Sequence, residues 1–247
     1  MDDSMQLYVP KGPKRLVDRF KPEFFIREET SDIKAVEEVW SKNAYRRTRD
    51  GFEPKPGEFW MDLGANVGAF SVMASKFGAR VAAIEAEERN VPICAANMNR
   101  NGIENPEVVH AAVVPDSFQG ETVTLYVNDT PMGLRRHSVL KARKKSRPVH
   151  VQAMRISDIC DRWRPDGMKI NIEGVEIQLL KEWEIPASLH YVVLEWSFDV
   201  DNKIITLARA FERLSARYRN VHMSKKIDFT KATYDYYPPN VYLFGWD

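Results

Sequence analysis

Cysteine is scarce in this chain: its 247 residues hold two, Cys94 and Cys160, far apart and outside any metal-ligand spacing. That excludes a disulfide-built scaffold and a cysteine-held metal, and both thiols read as reduced groups in or near a core, which fits a reducing, cytoplasmic setting. No apolar run reaches about 18 residues, and the first residues lack the charged, apolar and cleavage regions of a secretory leader, so neither a spanning helix nor export is expected. An excess of one charge is missing too. The 36 Lys and Arg stand against 35 Asp and Glu, a formal +1, which excludes a chain that seeks polyanions over its whole surface. With 44% hydrophobic and 29% charged residues, the composition is that of an ordinary globular fold, and this length suits one α/β domain with an N-terminal extension.

Glycine is sparse at the one place where a dinucleotide site would need it. From Phe59 to Asn90 an apolar run ends in Asp62, a turn follows with Gly64 and Gly68, an amphipathic stretch covers Ala69 to Lys76, and a second apolar run, Arg80 to Ile84, ends in Glu85. This is strand, tight turn, helix and strand. Two glycines with Ala65, Asn66 and Val67 between them do not make the three-glycine turn that receives a pyrophosphate, and Asp62 would set a negative charge beside such a ligand. The acid suits a cationic amino group instead. The turn backbone and the helix N-terminus offer N–H groups to a carboxylate, and Glu85, one strand over and followed by Ala86, can accept two ribose hydroxyl hydrogens. Here the sequence resembles the class I S-adenosylmethionine methyltransferases and, more narrowly, the FkbM family, whose first motif reads much like D-x-G-A-N-x-G. The resemblance runs from about Thr30 to Asp247. It implies a Rossmann-like sheet of about seven mostly parallel strands, helices on both faces, an antiparallel last strand, and S-adenosyl-L-methionine as methyl donor.

Around that unit, Met1 to Lys21 is charged and proline-interrupted, so residues 1–29 read as an N-terminal arm ahead of a domain over 30–247. Thr30-Ser31-Asp32 reads as a cap and Ile33 to Asn43 as a helix, similar to the helix that introduces the FkbM fold. Tyr45-Arg46-Arg47 is either a segment over the cofactor or a solvated basic loop. Val91 to Asn101 is a helix stopped by Gly102. Val108 to Val114 reads as the third strand. In a doubly wound sheet its carboxyl end, Ala111, Ala112 and Val113, is where a donor's adenine would rest. Thr122 to Val127 alternates as an extra strand. Lys141 to Arg147 packs five positive charges into seven residues, but without an aromatic residue for base stacking it reads as a solvated hairpin tip.

The second informative stretch is Met168 to Trp183, a strand, the turn Glu173-Gly174 and a helix. FkbM proteins look like K-I-D-x-E-G-x-E here. This chain keeps Lys169, Ile170, Glu173, Gly174 and Glu176 but has Asn171 in place of Asp. An amide cannot take a proton at neutral pH and ligates hard cations poorly, so Asn171 reads as a hydrogen-bond positioner and Glu173 as the leading base. Glu176 reads as structural. Tyr191 to Trp196 is the fifth strand, with Glu195 at its carboxyl end, where family members similarly place an acid. Ile204 to Tyr218 is a helix, Asn220 to Ser224 an edge strand with His222, and Asn240 to Trp246 the closing strand. Tyr234, Tyr236 and Tyr237 make an aromatic loop before it.

Asp62, Gly64, Ala65, Asn66, Gly68, Glu85, Ala86, Ala112 and Val113 are therefore the expected donor residues, and Asn171, Glu173 and Glu195 the expected catalytic ones, with no metal. By resemblance the acceptor is a sugar or glycan hydroxyl, glycolipid- or nucleotide-linked forms included. An RNA cap methyltransferase and a non-catalytic cofactor-binding module are the alternatives.

Overall fold

The computed structural model describes residues 5–130, 137–140, 142, 146–198, 200–201, 203–233 and 241–247. An antiparallel ribbon of β1 (Met5–Tyr8) and β2 (Phe24–Arg27) brackets α1 (Lys14–Phe20) and leads into α2 (Asp32–Trp40). Next come β3 (Phe59–Leu63), α3 (Ala69–Lys76), β4 (Arg80–Glu85), α4 (Asn90–Arg100), β5 (Glu107–His110), β6 (Ala112–Val114), β7 (Thr122–Asn128) and β8 (Ser146–Arg155). The chain continues through α5 (Ile156–Trp163), β9 (Gly167–Ile170), α6 (Val175–Glu182), β10 (Tyr191–Trp196), α7 (Ile204–Arg217), β11 (Asn220–Met223) and β12 (Val241–Trp246).

Seven strands form the main sheet in the order β11-β12-β10-β9-β3-β4-β5. The strands from β10 to β5 run parallel, whereas β12 pairs antiparallel with both β10 and β11. Successive strand residues point to opposite faces, and here each face meets its own apolar layer. Met61, Leu63, Ala82, Ile84, Val192, Leu194, Val241 and Leu243 pack with α5, α6 and α7. Trp60, Ala83, Val193, Tyr242 and Phe244 pack with α2, α3 and α4. Strands buried on both faces need near-continuous apolar letters, which is why FWMDL, RVAAIE and YVVLEW stand out in the sequence. The last strand does pair antiparallel as expected, but it is inserted beside β10 and leaves β11 at the edge.

Three local features add to the sequence reading. The run Val108 to Val114 is two strands: the Ala111 N–H ends the ladder of β5 on β4 at the Glu85 carbonyl, 3.1 Å away, and β6 then joins β8 and β7 in a separate three-stranded sheet. The cap of α2 acts through Thr30, whose hydroxyl accepts the Asp32 N–H at 3.2 Å, while Ser31 caps nothing. In the N-terminal region Phe24 and Ile26 are fully buried in the layer that holds α2 and α3. Two asparagines of the α4 region dock it as a neighbouring strand would. Asn97 accepts the Phe25 N–H at 2.6 Å and donates to the Phe25 and Val67 carbonyls. Asn101 makes the same exchange with the Glu23 backbone. The boundary expected at Thr30 thus falls between two elements of one apolar cluster.

Cys94 and Cys160 are both buried and free. Among the described residues no helix is long and apolar enough to cross a membrane. The aromatic loop at Tyr234 to Tyr237, four of the five cations of the basic run (Lys141, Arg143, Lys144 and Lys145) and Asp199 lie outside the described residues.

Candidate active site

Parallel strands deliver their carboxyl ends to one edge of the sheet, and the turns after β3, β4 and β9 there enclose a cleft, the place where ligands bind in doubly wound sheets. The small β7–β8 sheet and residues 137–139 form its far wall, and α2 and Tyr45 close the near side.

The turn after β3 is fixed from three directions. Gly64 and Ala65 donate their N–H groups to the Ile84 carbonyl at 2.9 and 3.1 Å, which ties the turn to β4. Gly64 has φ +76°, and a Cβ there would stand 1.9 Å from the Asn171 carbonyl oxygen, so only glycine lets the ends of β3 and β9 touch. Gly68, at φ +80°, opens α3 but has no side chain to cap it. Asp62 supplies the missing cap from the strand, accepting the Ser71 N–H at 3.2 Å and hydroxyl at 2.7 Å.

This arrangement corrects the expectation for Asp62. Its other oxygen holds the Lys169 ammonium at 2.9 Å, and the carboxylate is fully buried below the turn, outside the cleft lining. The cation it faces belongs to the protein. Lys169 gives its remaining hydrogens to the Gly64 carbonyl at 2.8 Å and the Leu63 carbonyl at 3.4 Å, so one buried ion pair pins the glycine turn to β9.

Glu85, at the end of β4, lines the cleft. Its two oxygens accept the Asn66 N–H at 2.7 Å and the Glu87 N–H at 2.8 Å, with the Asn90 amide at 3.3 Å. Oε1 takes both the Glu87 and Asn90 bonds, whereas Oε2 takes the Asn66 N–H and keeps a further lone pair, so the carboxylate is oriented but not exhausted. Burial pushes the carboxyl above the ordinary range, against those N–H groups and the Lys169 charge, which pull it down. Asn66, which supplies the first of the N–H groups, sits at φ +51°, a conformation asparagine tolerates better than most residues. Ala65, Ala86, Ala111, Ala112, Val113 and Leu125 give the surrounding wall small apolar surfaces.

Across the cleft a polar cluster collects from distant parts of the chain. The Asn171 amide donates to Glu195 Oε2 at 2.8 Å and to the Tyr45 hydroxyl at 3.1 Å, and Tyr45 donates to the same Oε2 at 3.0 Å. Tyr45 and Asn171 line the cleft, and Glu195 stands behind them. Glu173 lines it as well. Its backbone is at φ +54° and its carbonyl accepts the Ser138 hydroxyl at 3.0 Å. Arg46 and Arg47 are turned elsewhere: Arg46 binds Asn43 and Glu53 over the Phe77 ring, and Arg47 pairs with Asp50.

Of the segment Tyr45-Arg46-Arg47 only Tyr45 lines the cleft, and His137, in a stretch of turn-type letters, is a lining residue that escaped the sequence reading. The Asn128 N–H donates to His137 Nδ1 at 3.0 Å, so the neutral ring carries its proton on Nε2. Among the described residues no three His, Cys, Asp or Glu side chains converge as they would around a metal ion.

Glu176, fully buried at the start of α6, joins the two loops of this edge by accepting the Gly174 N–H at 2.9 Å and the Ser197 N–H at 3.1 Å. Burial pushes its carboxyl from 4.5 up to about 7. A raised acid is protonated in the fold and ionised in the unfolded chain between those values, so the stability it contributes is full below about 4.5 and is lost as pH rises through about 7. In urea unfolding, the fall in stability between pH 4.5 and pH 8 is expected to be smaller in Glu176→Gln than in the wild type by ~3 kcal/mol.

The sheet order and the cleft at its carboxyl edge define a class I methyltransferase, dependent on S-adenosylmethionine. The chain belongs to the FkbM methyltransferase family: the model described as "Methyltransferase FkbM domain" matches residues 62–218. Two curated relatives, the 23S rRNA (uracil(1939)-C(5))-methyltransferases RlmD of Aromatoleum aromaticum and of Azoarcus sp., are each 32% identical, over 105 and 80 residues. Those matches take in 42% and 32% of this chain but only 24% and 18% of the relatives' length. Among solved structures, the Pyrococcus abyssi tRNA (uracil-54, C5)-methyltransferase with S-adenosyl-L-homocysteine is similar at 15% identity, covering 99% of this chain and 44% of that one, TM-score 0.46. The Bacillus cereus O-methyltransferase with SAH is similar at 10% identity, over 77% and 74% of the two chains, TM-score 0.39.

Proposed function

We propose that this enzyme transfers the methyl group of S-adenosylmethionine to a hydroxyl oxygen of a sugar or glycan. The observation that carries the reading is the charge and hydrogen-bond pattern of the cleft. Three carboxylates among the described lining residues, Glu38, Glu85 and Glu173, face one ammonium, Lys169, and that ammonium is already matched by Asp62. Carboxylates on the described lining favour a cationic donor over a phosphorylated one.

The residues present fit the donor. The remaining lone pair of Glu85 Oε2 suits a ribose hydroxyl, the Gly64 to Gly68 backbone suits the methionyl part, and Ala111, Ala112, Val113 and Leu125 suit a flat adenine, with the His137 Nε2–H as a donor on that wall. Once bound, the donor supplies a methyl group already activated by its sulfonium. What this chain's residues have to do is align the acceptor oxygen, keep water out and remove the hydroxyl proton as charge develops. On the acceptor side a polyol meets Tyr45, Asn171 and Glu173, a set rich in donors and acceptors.

RNA is the second reading, since the curated relatives are named for a uracil carbon of 23S rRNA. The chemistry of this chain favours oxygen. Burial pushes the Cys94 thiol well above its ordinary value and the Cys160 thiol up to about 12, so neither offers a thiolate for covalent attack on a ring carbon. The deciding experiment is a screen with methyl-labelled S-adenosylmethionine against mono- and oligosaccharides and capped RNA. Label in a carbohydrate, removed by glycosidase treatment, is expected. Label in the RNA alone would contradict the proposal.

A further inference from the structure

We propose that the segment after β11, together with the first turn of α7, docks on an anionic membrane surface and so presents the cleft to a lipid-linked glycan. The docking stands on the surface itself, and the nature of the acceptor rests on the O-methylation reading. Strands β10 and β11 both pair antiparallel with β12, so they run the same way and end at the edge of the sheet that holds the cleft. The chain leaving β10 stays beside it: a Cβ on Gly174, between the lining residues Glu173 and Val175, would stand 2.6 Å from Val200. Residues 224–233, which leave β11, join that chain. The Ile204 N–H donates to the Ala232 carbonyl at 3.1 Å, and Lys203 and Thr233 form an antiparallel bridge. The Lys231 N–H donates to the Asp228 carbonyl at 3.3 Å, which closes a turn with Phe229 at its tip and sets it near the start of α7.

What this surface offers to the outside is unusual in combination. Of the large apolar side chains exposed among the described residues, Ile205 at 56% and Phe229 at 48% both fall here. Ile227 packs against the apolar layer that holds α7, so the segment turns one apolar residue in and another out. Lys203, Lys225, Lys226 and Lys231 are exposed around them, and among the described residues none of these four forms an ion pair. The acids nearby serve the backbone. Asp228 accepts the Thr230 N–H at 3.0 Å and hydroxyl at 2.7 Å, and Asp201 accepts the Lys203 N–H at 2.9 Å.

An isolated exposed apolar residue or a few lysines alone would be an ordinary surface. Projecting apolar tips ringed by long cationic side chains match the bilayer interface, where headgroup phosphates meet the ammonium groups and the tips enter the acyl boundary. RNA would use the same charges, but it gives an aliphatic side chain such as Ile205 little to contact.

The test is co-sedimentation of the full protein with vesicles of phosphatidylcholine, alone or with about one-third phosphatidylglycerol. It compares wild type, Phe229→Ser, the double variant Lys225→Gln with Lys226→Gln, and Leu7→Ser, an exposed apolar residue of the N-terminal ribbon; thermal melting confirms that each is folded. Wild type is expected to bind the anionic vesicles at least about tenfold more tightly than the neutral ones. Phe229→Ser is expected to weaken that binding about tenfold and the double lysine variant about 30-fold, with Leu7→Ser within about twofold of wild type. Methyl transfer to a water-soluble hydroxyl acceptor should stay within about twofold in all three variants. Equal binding to neutral and anionic vesicles, equal losses in Leu7→Ser and Phe229→Ser, or retention on polyuridylate RNA with none on vesicles overturns the docking. So does a dimer in sedimentation velocity that Phe229→Ser abolishes, which would give the patch to a second copy of the chain. Because vesicle binding is read without methyl transfer, its failure leaves the O-methylation reading standing. Docking by a protein that methylates no hydroxyl overturns the glycan acceptor alone.

Discussion

Lys169→Met is expected to lower the unfolding free energy by about 3–5 kcal/mol, because it leaves the Asp62 carboxylate buried without its cation. Lys169 is 4% exposed and Asp62 fully buried, so water cannot replace the lost partner. The effect should spread to the cleft, since the same ammonium holds the Gly64 and Leu63 carbonyls. A double variant, Lys169→Met with Asp62→Asn, is expected to recover a large part of the loss, because the uncompensated charge is gone while the Ser71 bonds have an acceptor. Urea unfolding of the four proteins of this cycle measures the coupling. Independent, additive losses would contradict the assignment of Lys169 as the partner that makes a buried Asp62 tolerable.

Glu85→Ala is expected to weaken S-adenosylhomocysteine binding at least about 100-fold, ~2.7 kcal/mol, the scale of losing one or two hydrogen bonds to a charged group. The substitution also strips acceptors from the Asn66 and Glu87 N–H groups, so a stability loss of about 1–3 kcal/mol should accompany it. Glu85→Gln should behave similarly. Both oxygens accept from backbone N–H groups, and an amide turned either way sets an NH₂ against one of them. Calorimetry below the melting temperature of each variant separates lost affinity from lost fold.

The strand–turn–helix–strand unit from Phe59 to Glu85 was legible because each element carries its own local signal: an apolar run, two glycines, an amphipathic stretch. What local letters could not carry was partnership. Lys169 reads as a polar interruption in a strand, and nothing near it names Asp62, 107 positions earlier. That gap is why Asp62 was expected to meet a ligand's ammonium. Glu195 was found by resemblance at a strand's carboxyl end, but its place behind Tyr45 and Asn171 depends on a loop 150 positions away. Val108 to Val114 reads as one strand because periodicity does not reveal a change of partner. The break at Ala111 follows from pairing with β8, a contact across some forty residues. Likewise, β2 docks through the Asn97 and Asn101 side chains, and no strand pattern shows that an α4 asparagine will serve as a strand edge.

A crystal structure of the protein with S-adenosylhomocysteine tests the central claim most directly. The account predicts the ligand along the Gly64 to Gly68 turn, its ribose hydroxyls within hydrogen-bond distance of Glu85 and its sulfur directed toward Tyr45 and Asn171. A ligand bound outside this cleft, or a Glu85 carboxylate turned away from the ribose, would contradict it.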